Sequence, residues 1–128
     1  MIKLTPTVEE IDALRATAPE GPVIIVNLLK LKPGADAKAA YMAYSQATAP
    51  ARDPNMEIVY AGAALKDVGG GEDWDYVIMA RYLAFEDFAR VVTHPAYQGE
   101  AASHRPAALE RTIMLITWPM TSADFFGT

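Results

Sequence analysis

The sequence predicts an α+β fold, in which helices cover one face of an antiparallel sheet. Segments of strand-like and helix-like pattern follow one another in the order strand, helix, strand, strand, helix pair, strand. The first strand is apolar on both faces, which is typical of a strand that is covered on both sides. With 128 residues, the chain has the length of one domain that builds its own core.

An extra helix is expected before the sheet, within residues 5–18. Thr5 offers an N-cap hydroxyl, and Pro6 suits the first turn of a helix. Acidic residues near the start favour the positive end of the helix dipole. The sequence therefore predicts a short helix that is not part of the sheet motif.

The first strand and the first helix of the motif follow. Val23–Leu31 is predicted to be a strand, because apolar side chains occupy both its odd and its even positions. Asp36 is placed to cap the next helix, which is expected to run to about Thr48. Pro50 and Pro54 then end it.

The second half of the motif begins with two strands joined by a glycine-rich loop. Phe85, Phe88 and Val91 lie at helical spacing and mark the first helix of a pair. Pro95 starts the second helix, which is expected to close near Arg105. The strands of this half are predicted at residues 56–65, 74–82 and 112–118.

This order is the split βαββαβ pattern of a ferredoxin-like fold with an antiparallel sheet. We therefore expect a single domain, residues 1–128, with a ferredoxin-like core at residues 22–118 and a C-terminal tail at residues 119–128.

The sheet predicts a homodimer. One layer of helices covers one face only, and the other face would leave a large apolar patch in water. A second copy is the economical cover, through a self-complementary two-fold interface in which two sheets form a shared barrel. Phe125 and Phe126 in the tail are candidates to reach across this interface.

Composition excludes several classes of function. The net charge is -5 and the basic residues are scattered, so a nucleic acid is not expected as a partner. No apolar stretch is long enough for a membrane span, and the chain has no cysteine for disulfides or thiolate chemistry. The N-terminus lacks the apolar core of a secretory signal, so a cytoplasmic location is expected.

Polar residues that interrupt apolar strands are the first candidates for a site. Asn27 lies within the first strand, where it is expected either to orient a ligand or to bond a neighbouring strand end or helix terminus. Asp75 and Arg81 share one face of the third strand by the period of two. They are expected either to anchor a ligand or to form an interfacial or edge ion pair.

His104 is the candidate for catalysis, because imidazole titrates near neutrality. If Asp75 lies beside it, the carboxylate fixes the tautomer of His104, which then acts as the general base beside a carbonyl. Arg105 offers a planar fork for a carboxylate. In the structural alternative, His104 caps the helix end and Arg105 bridges to Asp75 or to the partner chain.

Aromatic residues complete the candidate pocket. Trp74 and Tyr41 are expected to supply walls, although the tyrosines also fit a role as core aromatics with a hydroxyl at the rim. His94 and His104 are ten residues apart, with no carboxylate at helical spacing, so neither a metal nor a cofactor is expected.

Six short motifs along the chain occur together: VNLLKLK, YMAY, YAG, EDWDYV, HPAY and HRPAALERT. Together they resemble the domain of unknown function family 1330, within the dimeric α+β barrel superfamily. The resemblance spans about residues 23–118, and it implies a homodimer without a settled activity. The chain departs from the pattern at Leu83-Ala84, where relatives usually have Pro-Ser, at His94 and in the leading helix.

Two functional hypotheses follow. In the first, the protein is a homodimer that binds a small molecule, as a cofactor-independent isomerase or monooxygenase type of enzyme acting on a carbonyl or enol compound. His104 and Asp75 would be catalytic in this hypothesis. In the second, it is a non-catalytic dimeric binding or stress-associated module, in which the same polar residues hold the chains together.

Overall fold

The computed structural model describes residues 5–127, without the side chains of residues 100–102. The predicted ends of the domain at residues 1–4 and 128 lie outside the described residues. The helices are α1 Val8–Leu14, α2 Ala35–Ala47, α3 Phe85–Thr93, α4 Pro95–Gln98, α5 Glu100–Ala108 and α6 Ser122–Phe126, and a short 3-10 turn spans Ala49–Ala51. The strands are β1 Val23–Leu31, β2 Glu57–Ala63, β3 Tyr76–Tyr82 and β4 Leu109–Thr117.

The four strands form one antiparallel sheet in the order β2-β3-β1-β4. This is the order of a ferredoxin-like βαββαβ motif, in which each helix connection passes over the strand between its ends. The predicted fold class is therefore confirmed.

The register of the strands decides which side chains face the helices. Ile25 lies opposite Ala80 and Ile116, and Asn27 lies opposite Ile78 and Met114. Because strand side chains alternate between faces, all of these residues share the helix-covered face of the sheet. We call the opposite side the open face, and it carries Ile24, Val26, Leu28, Val77, Met79, Arg81, Ile113 and Leu115.

The core lies between the sheet and the helices. Val23 and Ile25 of β1 pack with Phe88 and Val92 of α3 and with Tyr97 of α4, and all five side chains are buried. Each such side chain contributes about 1.5–3 kcal/mol by leaving water. The α3 stripe seen in the sequence thus faces the sheet, as its spacing predicts.

Several element boundaries differ from the expectation. Thr7, not Thr5, caps α1 in a capping box with Glu10. Gly34 takes the N-cap position of α2, and Asp36 lies in its first turn. Ala84 caps α3 without a side-chain hydrogen bond, as the absence of a hydroxyl there predicts.

The helix pair and the tail hold further differences. The predicted second helix is broken at Gly99 into α4 and α5, and it continues to Ala108 instead of ending near Arg105. The last strand begins at Leu109, earlier than predicted, because Leu109 pairs with Leu31 beyond a register shift. The tail contains α6, which a capping box between Thr121 and Asp124 starts.

Candidate functional site

A cavity of about 230 Å³ lies between the helix-covered face of the sheet and the helices. Its floor is mostly apolar and comes from the strands, and its walls carry hydroxyl, amide and guanidinium groups. The polar lining residues are Asn27, Tyr41, Tyr44, Ser45, Thr48, Arg52, Tyr82, Tyr97 and Arg105. A mostly apolar cavity with a few convergent polar groups is the usual form of a small-molecule site.

Arg105 is the most unusual residue of this lining, because its side chain is only 3% exposed. It projects from α5, and its Nη1 donates hydrogen bonds to the hydroxyls of Tyr44 and Tyr97, both at 3.0 Å. Its Nη2 lies 3.4 Å from Oγ1 of Thr112. The guanidinium also lies over the ring of Tyr44, 5.3 Å from its centroid.

The guanidinium has no acidic partner among the side chains that the structure describes. Its Nε is buried and donates to no acceptor there. Burial lowers the pKa of Arg105, but the phenols of Tyr97, Tyr44 and Tyr41 more than offset this, so the pKa lies above its ordinary value. The cavity therefore contains a permanent positive charge, and the described side chains that bond it carry no carboxylate.

Two of the tyrosines around Arg105, Tyr97 and Tyr41, are neutral at physiological pH. Burial raises the pKa of Tyr97 far above its ordinary value, although the charge of Arg105 opposes the rise. Burial and the neighbouring Tyr44 also raise the pKa of Tyr41, again against Arg105. A phenol that accepts a hydrogen bond from a guanidinium keeps its own hydrogen for another acceptor.

Asn27 lies across the cavity on β1. Its side chain is half-buried and lines the cavity. The side-chain amide makes no hydrogen bond to any residue in the described part of the chain. The alternative prediction, a hydrogen bond from Asn27 to a neighbouring strand end or helix terminus, is therefore not met among the described residues. An amide with two donors and an acceptor to spare is available to a ligand.

The structure places Asp75 at the far end of β1. Its Oδ2 accepts a hydrogen bond from the amide of Leu31 at 2.8 Å, and its Oδ1 lies 3.6 Å from Nζ of Lys30. These contacts tie the start of β3 to β1. The structural alternative, in which Arg105 bridges to Asp75, is wrong because Arg105 contacts the tyrosines instead.

His104 is half-buried on α5, directly before Arg105. Successive helix residues point about 100° apart, so His104 faces a different direction from Arg105. Neither His104 nor Asp75 belongs to the lining of the sheet–helix cavity. The general-base role of His104, with Asp75 as its partner, stays a prediction.

Trp74 and Arg81 lie away from this cavity. Trp74 lines a second cavity of about 410 Å³, formed by the loop between β2 and β3. The guanidinium of Arg111 lies 4.6 Å from the centroid of its ring, and Arg111 also pairs with Glu72. Arg81 pairs in register with Ile24 and Glu57 on the open face, so it cannot act together with Asn27.

Of the five predicted ligand-binding residues, the structure thus brings Asn27, Tyr41 and Arg105 to one cavity. Sequence reasoning missed Tyr44, Tyr97 and Thr112 as partners of Arg105. The only available signal was local, because Tyr44 follows Tyr41 at helical spacing and Tyr97 stands in the HPAY motif. His94 of that motif caps α4, and its Nδ1 accepts a hydrogen bond from the amide of Ala96 at 2.9 Å.

Two further findings concern the described residues only. They contain no group of three His, Cys, Asp or Glu side chains arranged to hold a metal ion. None of their helices combines the length and the apolar character needed to cross a bilayer.

Solved structures similar to this chain support the fold. A protein of unknown function from Rhodopseudomonas palustris is 29% identical, with a TM-score of 0.79 over 94% of this chain and 99% of that one. A methylated form of the same protein is also 29% identical, with a TM-score of 0.80 over 94% of this chain and 97% of that one.

A dabb family protein with a ferredoxin-like fold, from Mesorhizobium loti, has a TM-score of 0.59 at 10% identity. The match covers 80% of this chain and 100% of that one, and at this identity it supports the ferredoxin-like fold alone.

No known family profile matches the chain, and no curated protein matches it in sequence. The resemblance to domain of unknown function family 1330 is therefore not confirmed. The chain is similar to one protein of unknown function and to one dabb family protein with a ferredoxin-like fold.

Proposed function

We propose that this protein binds a small molecule in the cavity between its sheet and its helices. The main support for the proposal is that two residues lining this cavity have polar groups without a hydrogen-bond partner. Asn27 on one side and Nε of Arg105 on the other have no partner among the described residues. Buried polar groups are normally satisfied, so unsatisfied groups on residues that line a cavity favour a missing partner.

Catalysis by a cofactor-independent route on a carbonyl or enol compound is the second candidate. Phenol and guanidinium donors beside a cavity are groups that stabilise the oxyanion of an enolate. In that case His104 remains the proposed base with Asp75 as its orienting partner. The contact of Asp75 with the Leu31 amide favours binding alone, because it occupies one carboxylate oxygen.

The assembly that we propose is a homodimer joined through the open face. Ile24, Val26, Leu28, Val77 and Met79 form its centre, and Leu115 on β4 is 53% exposed. A second copy offers a surface of the same shape and apolar character, which a two-fold axis brings into contact.

A thermal-shift screen tests the binding proposal. Neutral and acidic one-ring compounds, including benzamide and benzoate, are expected to include at least one that raises the melting temperature. The Asn27→Leu variant should lose much of that response, whereas Asn55→Leu, a matched change in an exposed loop, should retain it. A panel without any response in the intact protein would contradict binding in this cavity.

His104→Ala separates binding from catalysis. If His104 is a base, this variant should lose turnover of a bound carbonyl compound while its affinity for that compound stays within about twofold. Loss of affinity, or a large fall in melting temperature, would contradict the role of His104 as a base and would favour a structural role for its side chain.

A further inference from the structure

We propose that the ligand of the sheet–helix cavity is a small organic carboxylate, and that Arg105 is its anchor. This inference rests on the proposed function and adds the chemical class of the ligand. The buried, unpaired guanidinium is the starting point, because a buried charge is expected to have a partner of opposite sign.

The charged side chains in the described lining of the cavity all have one sign, although the carboxylate of Asp53, outside the lining, acts on the wall residue Tyr82. The lining, taken from the described residues, contains Arg52 and Arg105 and no Asp or Glu. The whole chain carries a net charge of -5, so this positive site is local and opposes the average. Arg52 donates to the carbonyl oxygen of Ser45 at 2.8 Å, which holds the second guanidinium beside the cavity without neutralising it.

The donors that Arg105 has left match a carboxylate. Both Nη1 hydrogens go to the hydroxyls of Tyr44 and Tyr97, and Nη2 makes one long contact with Thr112. The Nε hydrogen and one Nη2 hydrogen remain. These two nitrogens form the edge with which a guanidinium binds the two oxygens of a carboxylate.

The tyrosines extend the same recognition. Tyr44 and Tyr97 accept hydrogen bonds from Arg105, and a side-chain hydrogen bond also links the two tyrosines. One of their two hydroxyl hydrogens therefore remains for a ligand oxygen. Together with the remaining guanidinium hydrogens, this donor binds an oxyanion better than a neutral carbonyl group.

The rest of the cavity limits the body of the ligand. Ile25, Ile78 and Met114 form an apolar floor, and Asn27 offers one amide opposite Arg105. The volume of about 230 Å³ is small for a binding cavity. It fits a short chain or a single ring, with at most one further polar group for Asn27.

The test uses acetate as the probe. Acetate is small enough to enter the site whatever group the natural ligand carries beyond its carboxylate. Acetate at about 50 mM should raise the melting temperature by about 2 °C or more over sodium chloride of equal ionic strength. Acetamide, the neutral analogue of equal shape, should not. Inorganic phosphate should be weaker than acetate.

Two variants assign the effect to the guanidinium. Arg105→Gln should abolish the acetate response, and without ligand it should melt no lower than the intact protein, because an unpaired buried cation is removed. Tyr44→Phe, which keeps the ring, should weaken the acetate response at least threefold in an NMR titration. If Arg105→Gln does not fold, the Tyr44→Phe titration decides.

The outcomes distinguish the two proposals. Equal responses to acetate and acetamide, an acetate response that survives Arg105→Gln, or tighter binding of phosphate would each overturn the carboxylate assignment. Binding of benzamide without any response to acetate or benzoate would also overturn it, but would leave small-molecule binding intact. If neither neutral nor acidic probes change the melting temperature, both the carboxylate assignment and small-molecule binding in this cavity are contradicted.

Discussion

At the scale of single residues, the feature that sets this molecule apart is a buried cation whose hydrogen-bond partners, among the described residues, are all hydroxyl groups. Arg105 would lose most of its hydration in such a place, which costs several kcal/mol without an anion. The phenols of Tyr44 and Tyr97 return part of this, because hydrogen bonds to a charged group are worth about 1.5–3 kcal/mol. The fold thus bears a cost that a bound anion would offset.

Tyr97→Phe tests the hydroxyl contact. It removes the 3.0 Å hydrogen bond to Arg105 and keeps the ring in the core, so the free energy of unfolding should fall by about 1–2 kcal/mol. Tyr60→Phe is the matched control on β2, where the side chain is 52% exposed, and it should change stability by less than about 0.5 kcal/mol. Urea unfolding measures both, and equal small effects would contradict the account of Arg105.

Tyr82, at another wall of the cavity, predicts a pH dependence. Burial, with the carboxylate of Asp53 as a second cause, raises the pKa of Tyr82 from 10.0 to about 12. The folded state therefore holds this proton more tightly than the unfolded state. The stabilisation is complete below pH 10.0 and is lost as the pH rises through about 12.

Urea unfolding across this range should show stability falling with pH, and Tyr82→Phe should remove roughly 2 kcal/mol of that fall. An identical fall in the intact protein and in the variant would mean that Tyr82 does not titrate as the structure requires.

Part of this site was predictable from the sequence, and the rest was not, for physical reasons. Asn27 was identifiable because a polar residue in a strand that is apolar on both faces needs an explanation. Arg81 was wrongly grouped with it, because the face of a strand depends on register, and pairing with β1 puts Arg81 on the open face. The contacts of Arg105 with Tyr44 and Tyr97 are tertiary, and no local pattern encodes them.

At the scale of elements, the break between α4 and α5 positions the site. In an unbroken helix, the Cα atoms of Tyr97 and Arg105 would be about 12 Å apart along one axis. Gly99 interrupts the helix with φ -88° and ψ -109°, and its amide bonds the carbonyl of Pro95 at 2.8 Å. The helix pair can then bring the Tyr97 hydroxyl to Arg105. The sequence predicted one helix here, because Gly99 was not recognised as a break.

Gly99→Ala should disturb this geometry. A Cβ at position 99 would lie 2.8 Å from the carbonyl oxygen of Pro95, which is backbone and cannot rotate away. We expect a loss of about 1–3 kcal/mol in the free energy of unfolding, and weaker acetate binding. Gly71→Ala is the control, because a Cβ there meets nothing within 4 Å, and its stability should stay within about 0.5 kcal/mol.

At the scale of the whole molecule, the helices cover one face of the sheet, and apolar side chains form the other. This follows directly from β1, whose odd residues face the core and whose even residues face away. The two-sided pattern was visible in the sequence, so the sheet and its uncovered face were predictable. In the described tail, Phe126 is 79% exposed, and its contact with a second chain stays a prediction.

Val26→Lys tests the dimer. Val26 lies at the centre of the open face, opposite Met79 and Leu115, so a charge there should be buried in the proposed interface. The intact protein should sediment as a dimer at micromolar concentration, and the variant as a folded monomer. Met42→Lys, a change of the same kind at a position on α2 that is 58% exposed, should remain dimeric. A monomeric intact protein would contradict the assembly.

The most direct test of the carboxylate site is a crystal structure of the protein grown with benzoate. We expect the benzoate carboxylate within about 3 Å of the Arg105 guanidinium and the Tyr44 hydroxyl, with its ring against Ile25 and Met114. A structure in which this cavity holds no benzoate, or in which benzoate binds only elsewhere, would contradict the carboxylate site.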